Sequence, residues 1–446
     1  MKMPFKDRYE PLAISHSYDE IVAKRNTYLS PSVKTFQAYN EPLVLEKGMG
    51  QWVWDVEGRR YLDLMAQNTC ISAGYRHPLV ENEVHRQMDR IQHVTTTYFN
   101  AAPGLLAEEL VSRLPEGNDW VLHFVNSGAE AVDLALLMAR LHTGAHDIIA
   151  LRNSYHGLHF ACMSLTGMQS ARHAVPAALG IIHVNTPSPY RGIFGDDTAM
   201  YIEDFDQAVM ASTPGRIAGF IVEAIQGYGG VSPLPEGYLP AVFERTREAG
   251  GLCIIDEVQT AFGRLGSHYW GFEWLGVTPD IVVMGKGLGN GYPLSAVAVN
   301  RQIAESMSNA KFFNTYASNP ISCAAGRAVL RAVDVDSLME NSGAVGSRMQ
   351  ERFSGLMEKH DVIGDVRGRG LLLGMELVQD RTAKTPAAEE AGRLMEFAKE
   401  KGVIIGKCGL YGNVLKIRPP LVFAREHVDR LSDALAASLA GWATPR

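Results

Sequence analysis

Between about residue 100 and residue 300, short apolar runs alternate with stretches of helical period. The runs are Trp-Val-Leu-His-Phe-Val at 120–125, then 147–151, 180–184, 218–222, 252–255 and 281–284. Each is apolar almost throughout, as a strand is when both of its faces are covered. Strand and helix in regular alternation predict a mostly parallel sheet with helices on both sides. Upstream, residues 1–50 read as irregular with some helix. Residues 51–64 then alternate about an Asp-x-Glu-Gly turn, which predicts a β-hairpin. Downstream, a long helix is expected at about 320–332. Beyond it, Val366–Val378 and Gly412–Arg418 read as antiparallel strands among helices, an α+β pattern. The main boundary falls near 330. The expected units are a large α/β domain over 61–330 and a smaller α+β domain formed by 1–60 with 331–446.

Composition narrows the function classes. The 446 residues are 46% hydrophobic and 20% charged, with a formal net charge of −7, which gives no reason to expect nucleic acid or an anionic membrane as partner. The five cysteines are scattered with no Cys-x-x-Cys pair, which favours reduced thiols over a zinc site or a disulfide framework; no metal is expected. The N-terminus lacks the apolar run of a signal peptide, and no stretch of about twenty apolar residues exists. These features predict a cytoplasmic protein.

Two apolar runs end in ionisable groups, Asp256 in Leu-Cys-Ile-Ile-Asp-Glu-Val-Gln and Lys286 in Ile-Val-Val-Met-Gly-Lys-Gly. In an α/β sheet these positions lie at carboxyl ends of strands, where ligands bind. A lysine there forms a Schiff base with an aldehyde, and an aspartate holds a pyridine nitrogen protonated, the two demands of pyridoxal phosphate (PLP). A nucleotide phosphate loop is excluded by spacing: the nearest match, Gly402 to Cys408, is one residue short and lacks the hydroxyl. Asn126-Ser127-Gly128-Ala129-Glu130 breaks a strand into a helix and offers backbone N–H groups and a hydroxyl to a phosphate, or simply an N-cap. Tyr155-His156-Gly157 and Glu223 end two further runs, and Tyr155 suits stacking on a pyridine ring. Thr315 precedes a helix and is a further phosphate candidate.

Taken together, Asn-Ser-Gly-Ala-Glu-Ala, Tyr-His-Gly, Glu-Ala-Ile-Gln-Gly, Asp-Glu-Val-Gln-Thr-Ala-Phe-Gly-Arg, Pro-Asp-Ile-Val-Val-Met-Gly-Lys-Gly and Pro419-Pro420-Leu421 resemble the class III (ω-) aminotransferases of PLP fold type I over nearly the whole chain. Within that family the segments at 146–157, 189–195, 266–273 and 411–414 are similar to the alanine–glyoxylate aminotransferase 2-like branch. The resemblance implies a seven-stranded, mostly parallel sheet in the large domain. It implies a homodimer, or a tetramer of two dimers, with sites at the interface. It assigns Lys286 to the Schiff base and proton transfer, and Asp256 to the pyridinium nitrogen. Val258 and Tyr155 flank the ring. Ser127, Gly128 and Ala129 hold the phosphate, Gln259 lies near the phenolic oxygen, and Thr315 reaches the neighbouring subunit's phosphate. His156 and Glu223 complete the cofactor set. The candidate substrate contacts are Trp54, Asn68, Tyr228, Lys416 and Arg418.

Three departures bear on substrate. Leu158 and Tyr228 stand where similar 4-aminobutyrate aminotransferases carry an arginine for a distal carboxylate and the glutamate that gates an arginine. That argues against a dicarboxylate acceptor. Lys416 stands where relatives use arginine for the α-carboxylate, and Arg418 shares its strand face, so either is able to serve. The implied reaction is ping-pong transfer of an amino group from alanine, β-aminoisobutyrate or an ω-amine to pyruvate or glyoxylate. The lysine also resembles phospho-lyase relatives acting on phosphoethanolamine, which is the alternative.

Overall fold

The computed structural model describes residues 16–34 and 36–440. The expectations for the first fifteen residues, including the absence of a signal peptide, lie outside the described residues.

All six apolar runs are strands of one sheet. Its order is Trp120–Val125, Ser295–Asn300, Ile281–Met284, Leu252–Asp256, Gly219–Glu223, Ile148–Leu151, Ile181–Val184. The seventh strand, Ser295–Asn300, was not read from its own pattern. It pairs antiparallel with both neighbours, and the other six run one way. Its Ser-Ala-Val-Ala-Val is short and lacks bulky residues, so it carries little strand signal by itself. In place it is completely enclosed apart from Asn300. Ile221, Ile254, Ile281 and Val283 point to one face and Phe220, Ile255 and Val282 to the other, so each face has its own core. Such double burial is why these strands are uniformly apolar.

The expected hairpin forms as Trp52–Asp55 against Arg60–Asp63. Leu45–Met49 extends it on one side and Val403–Ile404, parallel, on the other, so the two ends of the chain share a sheet. A further antiparallel sheet contains Ile363–Arg369, Leu372–Asp380, Val414–Ile417 and Gly406–Cys408. The run over 366–378 is therefore two strands rather than one. The break is at Gly370, whose φ of 53° suits a residue without Cβ. A Cβ there would lie 2.5 Å from the Arg264 carbonyl oxygen. The long helix is Pro320–Val335, capped by Asn319, whose Oδ1 accepts from the N–H of Ile321 and Ser322 at 2.9 and 3.1 Å. No helix among the described residues is long and apolar enough to cross a membrane.

Candidate active site

Strand register brings the charges together. Asp256 is the direct partner of Glu223 on one side and of Val283 on the other. Lys286 therefore emerges just past the same sheet edge, at the start of a short turn, Lys286–Gly289. Its φ of 40° is left-handed for a residue with a Cβ, a strain of about 1–2 kcal/mol that the surrounding packing must hold. Burial pushes its ammonium pKa down, and the Arg418 charge adds to this, while Asp256 opposes it. Among the described residues its Nζ has no hydrogen bond or ion pair.

Asp256 is braced on both oxygens. Oδ2 lies 2.8 Å from His156 Nδ1, and Oδ1 accepts from the Val258 N–H at 3.0 Å. Burial would depress the His156 imidazole, but the hydrogen bond and charge of Asp256 outweigh it and raise its pKa. Glu223 accepts from the backbone N–H of Tyr155 at 3.0 Å and of Gly227 at 2.9 Å. It thus ties two loops to the strand end, and burial raises its pKa to about 7. Tyr155 meets Tyr228 with ring centroids 5.2 Å apart.

Ser127 caps the helix Gly128–Thr143, its Oγ accepting from the Glu130 N–H at 3.2 Å. Its own O–H and the N–H groups of Gly128 and Ala129 remain to be used by an anion. A Cβ on Gly128 would sit 3.3 Å from both methyls of Val258, and one on Gly285 would sit 3.5 Å from Val258 and 2.7 Å from Ser295 Oγ. Glycines thus line a cradle with Val258 as its floor. Gly157, at φ 113°, packs against Ala129, where a Cβ would lie 2.7 Å from the alanine methyl. Thr315 is exposed on this chain, and its neighbour Asn314 donates to Glu130 at 3.0 Å.

The two C-terminal cations have different settings. The Arg418 guanidinium donates to Gln259 Oε1 and to Asn68 Oδ1. Asn68 is presented by a run of four left-handed residues, Ala66 to Thr69, anchored by the buried Asp63 carboxylate. Lys416 Nζ lies 5.3 Å from the centre of the Tyr228 ring, with no hydrogen bond or ion pair among the described residues. Burial first, then the Arg418 charge, lowers its pKa to about 7. Besides the exposed Thr315, Trp54 is the candidate not brought into this cluster: it lies on the hairpin with the Lys47 ammonium 4.9 Å from its ring. Sequence reading did not single out Thr166, whose Oγ1 accepts from the His156 N–H at 3.0 Å, or Asn290, which joins the lysine turn to residues 73 and 74. Both act over separations that no local pattern reveals.

The profile of the family "Aminotransferase class-III" matches residues 35–439. This chain belongs to the class III aminotransferases. It is a PLP-dependent aminotransferase, acting on amino- and keto-acid small molecules. Alanine–glyoxylate aminotransferase 2 homolog 2, mitochondrial, of Arabidopsis thaliana is 46% identical over 423 residues, covering 95% of this chain and 88% of that protein. The human alanine–glyoxylate aminotransferase 2, mitochondrial, is 36% identical over 457 residues, covering 97% and 88%. Among solved structures, an Arthrobacter phospholyase in complex with phosphoethanolamine superposes with a TM-score of 0.87 at 35% identity, covering 96% of this chain and all of that one. The relatives' names overturn the expectation of a cytoplasmic protein, since both are mitochondrial. Free thiols separate oxidising from reducing compartments and do not tell one reducing compartment from another.

Proposed function

We propose that this aminotransferase takes its amino group from alanine, β-aminoisobutyrate or a similar ω-amine and passes it to a small monocarboxylic acceptor, pyruvate or glyoxylate. The observation that carries this is Lys416: one cation without a bound partner, over Tyr228, beside an arginine already engaged by Gln259 and Asn68. A single carboxylate suits such a site better than two. Leu158, exposed on this chain, supplies no second cation.

The residues fit the cofactor's needs: an unspent Ser127 hydroxyl and first-turn N–H groups for the phosphate, a glycine-lined cradle for the ring, and a braced carboxylate for its nitrogen. When bound, PLP withdraws electrons from the carbon losing its proton and carries the amino group from donor to acceptor. Ser127, Gly128 and Ala129 would hold its phosphate, Val258 and Tyr155 its ring faces, and Gln259 the neighbourhood of its phenolic oxygen. Asp256, oriented by His156, would pair with its ring nitrogen. Lys286 Nζ, its ammonium disfavoured by burial, is suited to accept and return the proton. Glu223 braces the loops carrying Tyr155 and Gly227. We assign residues 61–330 to a large domain and 1–60 with 331–446 to a small one; the strand Arg60–Asp63, which pairs Leu62 and Asp63 with Val403 and Ile404, carries the small unit a few residues past that boundary.

The protein works as a homodimer in this reading, with Thr315 reaching the partner's phosphate. Tyr98, Phe99, Phe313 and Tyr316 are 60–102% exposed on one chain. Aromatic surface of that extent is what a second copy covers.

The test is to add L-alanine, without acceptor, to the PLP-loaded protein. Loss of the yellow absorbance with stoichiometric pyruvate is expected, and Lys286→Ala should lack both the band and turnover. The phospholyase neighbour supports one alternative: release of inorganic phosphate from phosphoethanolamine, with no response to alanine, would replace transamination by elimination.

A further inference from the structure

Two of the segments that marked the branch resemblance, 189–195 and 411–414, have no part in the catalytic cluster. They meet around a separate cavity of about 240 Å³. Arg152, Arg191, Gln226, Arg367, Glu376 and Tyr411 are among its walls; Lys286, Asp256, Tyr155 and Lys416 are not. The volume is below the usual range for drug-sized ligands and suits a molecule of amino-acid size.

The polar atoms of the walls are mostly spent. Arg367 donates to the Gly230 carbonyl oxygen and pairs with Asp365 and Glu376. Arg191 Nε pairs with Glu376, and its guanidinium sits 5.6 and 5.3 Å from the rings of Tyr190 and Tyr411. Two atoms stand apart. Among the described residues, Arg191 Nη2 is buried without a hydrogen-bond partner, and so is Oε1 of Gln226, a residue with no exposed surface. The Gln226 amide nitrogen is already committed to the Arg152 carbonyl oxygen at 3.0 Å. One orphan is a cationic donor and the other an acceptor, and buried polar atoms are ordinarily satisfied.

We propose that this cavity binds a small carboxylate that also carries an N–H or O–H donor, a hydroxy acid or amino acid, outside the catalytic pocket. The carboxylate meets Arg191 and the donor meets Gln226. Its occupancy reaches the catalytic cluster through one loop. Gly229 lines the cavity, Gly227 donates to Glu223, and the Tyr228 carbonyl oxygen accepts from the Gly409 N–H at 2.9 Å. A bound ligand therefore stiffens the segment that carries Tyr228 beneath Lys416.

L-lactate is the probe, because it has neither amine nor ketone and is not turned over. Calorimetry on the PLP-loaded enzyme should give, apart from any binding at Lys416, one lactate per chain that persists in Lys416→Met, with a dissociation constant on the order of 1 mM. Arg191→Met and Gln226→Leu should each weaken it about tenfold or more, whereas Lys416→Met should leave it unchanged. Arg191 also holds Glu376, so Leu410→Trp, a plug at a half-exposed rim position, gives a second test that spares that ion pair. Absence of lactate binding, binding indifferent to Gln226→Leu and Leu410→Trp, or binding lost in Lys416→Met alone would each overturn the proposal.

Discussion

Lys416, on the strand Val414–Ile417, and Arg418, just past its end, illustrate how context divides identical charges. Arg418 is held by Gln259 and Asn68 and acts as a strut. Lys416 keeps its head group unpaired, and burial brings its pKa to about 7. The sign of the consequence is fixed: below that value the ammonium is present, and it is lost as pH rises through it. KM for a carboxylate acceptor should therefore climb above pH 7, approaching about tenfold per pH unit. Lys416→Arg should flatten that climb, because a guanidinium stays charged. A pH profile of KM in the two proteins checks this; an equal climb in both would remove Lys416 from carboxylate binding. Residue chemistry of this kind was partly legible: the sequence singled out both cations but left open which holds the carboxylate, because sharing a strand face says nothing about partners 159 or 350 residues away.

At the scale of elements, the site depends on parallel register. Three adjacent strands end in step, so Glu223, Asp256 and Lys286 share one edge without any of them choosing its neighbour locally. The loops are then pressed onto the helix Gly128–Thr143. Gly157 is the tightest point, left-handed and against Ala129. Gly157→Ala combines a disfavoured φ with overpacking and should cost about 1–3 kcal/mol of stability. It should also weaken PLP retention, because it shifts both Tyr155 and the turn proposed to hold the phosphate. Thermal unfolding with and without added PLP checks both parts; an unchanged midpoint in each condition would mean that the loop does not bear on the cradle. Apolar runs announced six strands because burial on both faces demands them. The seventh stayed hidden because small residues suffice where helices and neighbours crowd both sides.

For the whole molecule, an exposed aromatic face stands beside Thr315 and is anchored to the turn at Ser127 through Asn314, Asn126 and Glu130. If a second copy covers it, Tyr316→Glu should shift the protein toward monomer in light scattering and release PLP in parallel, since each site would lose the partner's Thr315. A dimer of undiminished stability in that variant would move the interface elsewhere. The C-terminal strand Val403–Ile404 completes a sheet begun by residue 45.

By itself the sequence determined the strand–helix alternation, and with it the sheet and the ends of its strands. It also determined which ionisable residues stand at those ends, a lysine and an aspartate after buried apolar runs. Those are local properties: period, burial and residue type within a few positions. Tertiary structure decided what depends on distant pairs. It put Ser295–Asn300 inside the sheet, gave Arg418 to Gln259 and Asn68, left Trp54 on the hairpin, and enclosed Arg191 with Gln226. Each requires segments far apart in the chain to meet, and the free energy that brings them together belongs to the packed core and not to any one segment.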